Sequence, residues 1–138
     1  MPSFGTTSRE HLDGVDEHLQ ELFNTVVRHF DCSVISGRRS VAEQAALVRA
    51  GKSQLLKSKH LSGAAVDVAP YPIDWGEIGT PEERARAIQR FYLFAGFVLG
   101  VASQMGMTLR WGGDWNGNLD PRDEGDFNDL VHYELVRR

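Results

Sequence analysis

The chain of 138 residues contains a single cysteine, Cys32, and this scarcity excludes several classes of small protein. One thiol cannot form an internal disulfide, and it cannot supply the paired cysteines of a cysteine-rich metal site. Because Cys32 lies beside an apolar run, we expect it to be buried and unreactive. Any metal site must therefore be built mainly from histidine, aspartate and glutamate.

The chain also lacks an excess of positive charge and a long apolar run. Its 15 Lys and Arg residues against 19 Asp and Glu residues give a formal net charge of -4, which provides no bulk attraction to nucleic acid or to an anionic membrane. No apolar run approaches the roughly 20 residues that cross a bilayer, and the N-terminus has no basic start followed by an apolar core. We therefore expect a protein that is made in the cytoplasm without a signal peptide, with no nucleic-acid partner and no stable membrane association. We also expect a monomer, although these features do not bear on the oligomeric state.

Internal repeats, low-complexity tracts and Pro- or Ser-rich linkers are absent too, which favours one compact domain over residues 1–138. Hydrophobic residues make up 41% of the chain and charged residues 25%, both ordinary values for a globular protein. A chain of this size can bury roughly two thirds of its unfolded surface without disulfides.

Helix-start patterns and apolar periodicity predict three helices. Thr7 and Glu10 have the spacing of a capping box upstream of a long amphipathic pattern, and Ser40 with Glu43 repeats that spacing. Pro81 in the first turn of a third pattern marks another start. The predicted helices cover residues 12–30, 40–51 and 80–105.

Short apolar or alternating runs predict strands between and after these helices. The order of elements, with long irregular connections, indicates an α+β fold in which helices pack on a small antiparallel sheet. The predicted strands are residues 32–36, 64–70, 107–111 and 130–136.

The predicted strand AAVDVAP carries a carboxylate, Asp67, among apolar residues. A buried carboxylate is costly unless an arginine such as Arg39 or a metal ion compensates its charge. His60 precedes Asp67 by seven residues, and His132 lies on a predicted strand face that it shares with Glu134. Imidazole nitrogen and carboxylate oxygen both suit zinc, and a catalytic zinc site needs three protein ligands. Spacing alone leaves both explanations of Asp67 open.

The polar stretch between the last two predicted strands, residues 112–129, is too long for a simple connection and is a candidate site element. Asp114, Asn116, Asn118 and Asp120 alternate as in the first half of an EF-hand calcium loop. The stretch lacks that loop's glycine at the sixth position and its glutamate at the twelfth. Residues 114–129 are therefore either a regulatory Ca²⁺ site or a solvated acidic loop.

The order of motifs along the chain resembles a known family. Gly37-Arg38-Arg39-Ser40 with Gln44, then SKHLSGAAVDVAP, WGGDW and DLVHYEL, is similar to the zinc peptidases of the VanY-like D-Ala-D-Ala carboxypeptidase group. Within this group the chain most resembles the phage endolysins that cleave the L-alanyl-D-glutamate bond of peptidoglycan. The resemblance runs nearly end to end and implies the zinc peptidase fold of the LAS/hedgehog-like proteins.

The resemblance also implies roles for individual residues. It makes His60, Asp67 and His132 the ligands of one Zn²⁺ ion, and it makes Asp129 the general base. It further implies that Arg39 polarises the scissile carbonyl and stabilises the oxyanion. The residues that it assigns to the substrate cleft, either as contacts or as support, are Ser58, Gln44, Trp111, Asp114, Trp115 and Glu134.

The function implied by the resemblance is a zinc-dependent peptidoglycan hydrolase that cuts the stem peptide at the L-alanyl-D-glutamate bond during host lysis. The enzyme would reach the cell wall after the inner membrane opens, without a separate wall-binding domain. An aspartate at position 129 favours this over the alternative of a D-Ala-D-Ala carboxypeptidase, because much of the wider family carries glutamate there. A non-catalytic peptidoglycan-binding module is a third possibility, although the complete set of implied catalytic residues argues against it.

Overall fold

The computed structural model describes residues 2–51, 59–125 and 128–136. In these ranges the chain forms four α-helices and four strands, which confirms the predicted α+β class. In chain order the elements are α1 (Thr6–Asp13), α2 (Glu17–Val27), β1 (Cys32–Ser36), α3 (Val41–Arg49), β2 (Ala65–Pro70), α4 (Pro81–Gln104), β3 (Leu109–Gly112) and β4 (Asp129–Leu135). Short 3-10 turns occupy Lys59–Ser62 and Pro121–Asp123.

The four strands form one antiparallel sheet in the order β1-β2-β4-β3. In the central pair, Asp67 lies opposite His132, and Val66 lies opposite Tyr133. Because side chains alternate between the two faces of a strand, this register puts Asp67 and His132 on one face and Val66 and Tyr133 on the other.

The face that carries Val66 and Tyr133 packs on helices α2 and α4. The Tyr133 ring meets Phe23 of α2 edge to face at a centroid distance of 5.4 Å, and Tyr92 of α4 meets Trp111 of β3 at 5.0 Å. Full burial of each such side chain contributes on the order of 1.5–3 kcal/mol. Apolar burial therefore holds the sheet from this side and leaves its opposite face for polar groups. Among the described residues, no helix combines the length and the apolar character needed to span a bilayer.

The predicted single helix over residues 12–30 is wrong, since the chain forms two helices that break at Gly14. Asp16 caps α2 by accepting a hydrogen bond from the His18 amide at 2.8 Å, and the Asp16 amide itself donates to the Gly63 carbonyl at 2.8 Å. This tertiary contact turns the chain where the apolar periodicity would have continued the helix. The capping box predicted at Thr7 and Glu10 is also wrong. Thr7 lies inside α1, and the N-cap of this helix is Gly5.

The other helix boundaries follow the predictions closely. Ser40 and Glu43 form a reciprocal capping box at the start of α3, and α4 begins at Pro81. After α4, Gly106 adopts φ +74°, a left-handed conformation that favours glycine and ends the helix.

Helix α1 packs directly against the segment that leads from β1 into the polar face. His11 Nδ1 lies 2.8 Å from the Val34 carbonyl oxygen. At Gly37 the approach is closer still, since a Cβ atom there would lie 1.8 Å from the His11 carbonyl oxygen. Only glycine fits at that position, and α1 thereby fixes the path of the backbone at Gly37.

Candidate metal centre

Three predicted ligands converge on the polar face of the sheet. His60 comes from the 3-10 turn Lys59–Ser62, Asp67 from β2 and His132 from β4. His60 Nε2 lies 3.1 Å from Asp67 Oδ1 and 3.2 Å from His132 Nδ1, and His132 Nδ1 lies 3.4 Å from Asp67 Oδ1. All three side chains are buried, and their ligand atoms lie within 4.8 Å of one another.

Hydrogen bonds on the far side of each imidazole orient the ligand atoms. His60 Nδ1 lies 2.8 Å from the Gly37 carbonyl oxygen, and His132 Nε2 lies 2.8 Å from Glu134 Oε1. A carbonyl or carboxylate oxygen can only accept, so these two ring nitrogens donate. In neutral imidazoles, His60 Nε2 and His132 Nδ1 are then both acceptors, as in metal-binding histidines generally.

Three converging acceptor atoms, two imidazole nitrogens and one carboxylate oxygen, repel one another unless a cation lies among them. In the absence of a metal a proton serves this purpose. Burial alone would lower the pKa of His132, but hydrogen bonds with Asp67 and Glu134 raise it to about 9. Burial alone would raise the pKa of the Asp67 carboxyl, yet hydrogen bonds from His132 and His60 hold it well below its usual range. The donor set therefore fits a divalent metal ion.

Asp67 satisfies both explanations that its sequence context left open. Its Oδ1 atom faces the two histidines, whereas Oδ2 accepts a hydrogen bond from Arg39 Nη2 at 2.7 Å. Arg39 is itself held by Gln44 Oε1 at 3.0 Å and by Ser36 Oγ at 3.2 Å. Gln44 is fully buried, so it braces the arginine from within the fold. The carboxylate thus joins an ion pair to the ligand cluster.

Asp129, the predicted base, lies at the start of β4 opposite Gly112, where the β3–β4 register shifts. Burial raises the pKa of its carboxyl, and the negative charge of Asp67 raises it further. The positive charges of His132, His60 and Arg39 oppose this rise. The Asp129 carboxyl therefore responds electrostatically to each of the other predicted catalytic and ligand residues.

The two tryptophans assigned to the cleft lie in different places. The Trp115 ring lies beside His132, with a centroid distance of 5.4 Å, on the metal-centre side. Trp111 lies in the core on the helix side, where its Nε1 donates to the Leu130 carbonyl oxygen at 2.8 Å. The structure therefore brings Trp115, but not Trp111, to the ligand cluster.

Asp114 and Ser58 complete the predicted set. Asp114 is buried and lines a cavity of about 720 Å³ between α4 and β3, on the helix side of the sheet. Its Oδ2 accepts a hydrogen bond from the Leu119 amide at 2.9 Å, and its Oδ1 has no hydrogen-bond partner among the described residues. Ser58 lies outside the described residues.

Sequence reasoning did not find the partners of Glu134. Its Oε2 atom lies 3.0 Å from Lys59 Nζ and 3.5 Å from Arg110 Nη1. Burial alone would raise the pKa of Glu134, but hydrogen bonds with His132 and Lys59 lower it to about 2. No sequence pattern links a lysine to a glutamate 75 positions away. Arg110 becomes visible only through the β3–β4 register, in which it lies opposite Glu134.

The chain is similar in sequence to known phage peptidases. Residues 2–136 match the family model of the phage L-alanyl-D-glutamate peptidases. The chain is 34% identical over 144 residues to the L-alanyl-D-glutamate peptidase of Escherichia phage T5, with coverage of 96% of this chain and 97% of that protein. It is 33% identical over 85 residues to the L-alanyl-D-glutamate peptidase of Listeria phage A118, over 59% of this chain and 25% of that protein.

A solved structure extends the likeness to three dimensions. The crystal structure of the Serratia marcescens L-Ala D-Glu endopeptidase ChiX superposes with a TM-score of 0.69 at 30% sequence identity. The superposition covers 96% of this chain and 90% of that chain.

Metal binding should release a proton from His132. With a pKa of about 9, this imidazole is protonated at pH 6, and a metal ligand must lose that proton. We expect release of about one proton or more per bound divalent ion at pH 6, measured by titration calorimetry in buffers of different ionisation enthalpy. In the metal-free protein, the interactions of protonated His132 add to the free energy of unfolding. This contribution is fully present below pH 6.5, the ordinary pKa of histidine, and it is lost as the pH rises through 9. Binding without proton release would contradict this account of the cluster.

Proposed function

Because this chain belongs to the phage L-alanyl-D-glutamate peptidase family, we propose that it is a zinc-dependent endopeptidase that cleaves the L-alanyl-D-glutamate bond of the peptidoglycan stem peptide. The observation that carries the proposal is the convergence of His60, Asp67 and His132 on one sheet face. These residues are a nitrogen and oxygen set of three, the number that catalytic zinc sites use while keeping one position open. Zinc, when bound there, supplies a Lewis acid that polarises a carbonyl and lowers the pKa of a coordinated water.

Asp129 is the proposed general base. Its carboxylate accepts a proton from the water that attacks the amide carbonyl, and it later donates this proton to the leaving amine nitrogen. The raised pKa of Asp129 favours the first step, because a carboxylate with a higher pKa is a stronger base toward the proton of the water.

Arg39 has two proposed tasks, which different nitrogens can perform. A guanidinium carries five N–H donors, and one at each nitrogen is used by Ser36, Gln44 or Asp67. The second N–H of Nη1 and that of Nη2 make no described bond. We assign these donors to the carbonyl oxygen of the scissile bond, where they stabilise the developing negative charge. The bond to Asp67 meanwhile holds that carboxylate against the histidines.

The proposed setting is host lysis by a phage endolysin. In this setting a monomeric catalytic domain over residues 1–138 is made in the host cytoplasm and meets the cell wall after the inner membrane opens. The match to phage peptidases over nearly the whole chain supports the hypothesis of an endolysin rather than that of a D-Ala-D-Ala carboxypeptidase. Of the substrate-cleft residues, Trp115 is proposed as a wall of the cleft because it lies beside His132.

A second proposed ligand is a regulatory calcium ion in the 114–129 loop. The support for it is Asp114 Oδ1, a buried carboxylate oxygen without a partner among the described residues. Asn116 and Asn118, at the following alternate positions, donate to Asp123 at 3.3 and 2.6 Å and so hold the loop segment 116–123 together. Trp115 directly follows Asp114 in the chain and lies beside His132, so an ion at Asp114 would influence the metal centre through Trp115.

The proposed reaction can be tested by digesting purified peptidoglycan and identifying the fragments by mass spectrometry, with and without a chelator. We expect chelator-sensitive cleavage between L-alanine and D-glutamate and about one zinc per chain. Asp129→Asn should retain zinc and lose activity by roughly 10²–10⁴-fold, because only proton transfer is removed. Asp67→Ala should lose zinc. Release of free D-alanine alone would identify a carboxypeptidase, and zinc binding without any fragments would identify a binding module.

Arg39→Ala should lower kcat by on the order of 10²-fold or more if the arginine stabilises the oxyanion. The zinc affinity of the same variant, measured by chelator competition, separates the two tasks of Arg39. A loss of kcat that persists when zinc is saturating supports the oxyanion role. Complete recovery of kcat at high zinc would show that Arg39 acts only by holding Asp67.

Calcium regulation predicts that millimolar Ca²⁺ changes the peptidase activity of the zinc-loaded protein and that Asp114→Asn abolishes the change. Titration calorimetry with Ca²⁺ gives the affinity independently of activity. The idea would be abandoned if wild-type protein and Asp114→Asn responded identically to the ion.

A further inference from the structure

Lys59 connects the two segments that carry the histidine ligands. It directly precedes His60 in the 3-10 turn, and its side chain reaches across to β4. There Nζ donates to the Leu135 carbonyl oxygen at 2.8 Å and pairs with Glu134 Oε2 at 3.0 Å. In addition, the Leu135 amide donates a hydrogen bond to the carbonyl oxygen of Ala64, which follows the 3-10 turn, at 2.9 Å. Lys59 therefore ties the turn of one ligand to the strand of the other.

Glu134 contacts both Lys59 and His132, and it therefore links Lys59 to the metal centre. One carboxylate oxygen accepts the His132 Nε2–H bond, and the other faces Lys59 and Arg110. The Glu134 side chain is only 10% exposed, whereas those of Lys59 and Arg110 are 41% and 39% exposed. The two cations thus approach a largely buried carboxylate from the solvent side, and Arg110 lies at the longer distance of 3.5 Å.

The shape of lysine suits this position. An ammonium group has three donors at a single point, so it can serve the Glu134 carboxylate and the neighbouring Leu135 carbonyl together. The two acceptors belong to Glu134 and Leu135, which are consecutive residues of β4, and neither hydrogen bond requires the planar donor group of an arginine. The bond to the main chain fixes where the ammonium lies, and the ion pair then fixes the orientation of the carboxylate.

We propose that Lys59 is a positioning residue that sets His60 and His132 in register for the metal ion. This inference rests on the proposed function, in that it assumes a metal at the His60–Asp67–His132 cluster. Lys59 holds the Glu134 carboxylate in place, and Glu134 in turn keeps the Nδ1 atom of His132 directed at the cluster. Loss of an outer partner of a metal-bound histidine typically weakens metal affinity by about 10- to 100-fold.

The exposure of Lys59 suggests a different role, in which the ammonium binds a carboxylate of the substrate directly. The two roles differ in what they change. A substrate contact would raise KM and leave zinc affinity unaltered, whereas a positioning role weakens zinc affinity and leaves KM nearly unaltered once zinc is saturating.

The test compares zinc affinities by chelator competition in four single variants and one double variant. Lys59→Met keeps the apolar stem and should weaken zinc binding by about 10-fold, the low end of the 10- to 100-fold effect of losing a direct partner of a ligand histidine, because Lys59 acts one step further out, through Glu134. Lys59→Arg should recover part of the loss, because it restores the charge. Arg84→Met is the matched control, since it removes an exposed cation that donates to the Gly79 carbonyl oxygen at the start of α4 and should leave zinc affinity unchanged.

The fourth variant shows whether Lys59 acts through Glu134. Glu134→Gln keeps an acceptor for His132 but removes the charge that pairs with Lys59. If the proposal holds, adding Lys59→Met to Glu134→Gln weakens zinc binding much less than it does in wild type. Equal losses in both backgrounds, or a changed KM with unchanged zinc affinity, would overturn it.

The assay also separates this proposal from the proposed function. Zinc affinity is read without substrate, so wild-type protein that binds zinc but cuts nothing would refute the peptidase assignment and still decide the role of Lys59. Wild-type protein that binds no zinc would overturn both.

Discussion

The buried carboxylate of Asp67 is the group on which the site depends. It lies in the middle of a fully buried strand, where an uncompensated charge would cost several kcal/mol. One carboxylate oxygen of Asp67 pairs with Arg39, and the other faces His60 and His132. Each of these partners is in turn fixed by the fold: Arg39 by Gln44, and His60 by the Gly37 carbonyl oxygen. The polar face is therefore one connected network that begins at a single strand residue.

Because side chains alternate along each strand, one face of the sheet packs in the apolar core and the other carries the polar site residues. On β4, Tyr133 packs among aromatic side chains of α2 and α4, while His132 and Glu134 on either side of it face the polar network. The candidate ligands His60, Asp67 and His132 therefore lie on a sheet whose opposite face is stabilised by apolar burial, whether or not a metal is bound. A change on one face reaches the other mainly through the backbone of β2 and β4.

Local patterns predicted much of this structure, and nonlocal contacts explain what they missed. The capping box at Ser40, the start of α4 at Pro81 and the run around Asp67 are encoded within a few residues, so they could be predicted from the sequence. The break at Gly14 depends on a hydrogen bond to Gly63, which no local pattern contains. The grouping of His60, Asp67 and His132 was implied by the family resemblance, since spacing alone left the role of Asp67 open. The Lys59–Glu134 pair and the placement of Trp111 on the helix side depend on the register of β4, which a single sequence does not specify.

The position of β4 has a consequence for the synthesis of the protein. It follows the other three strands in the chain, yet it lies between β2 and β3 in the sheet. Before β4 leaves the ribosome, β3 has no neighbour in the sheet, and the cluster lacks His132 together with the carboxylate that orients it. A nascent chain therefore cannot assemble the metal centre while residues 1–128 alone are exposed. A metal ion that binds this cluster must therefore be acquired after the whole fold has been translated, and a product truncated before β4 would lack the complete cluster.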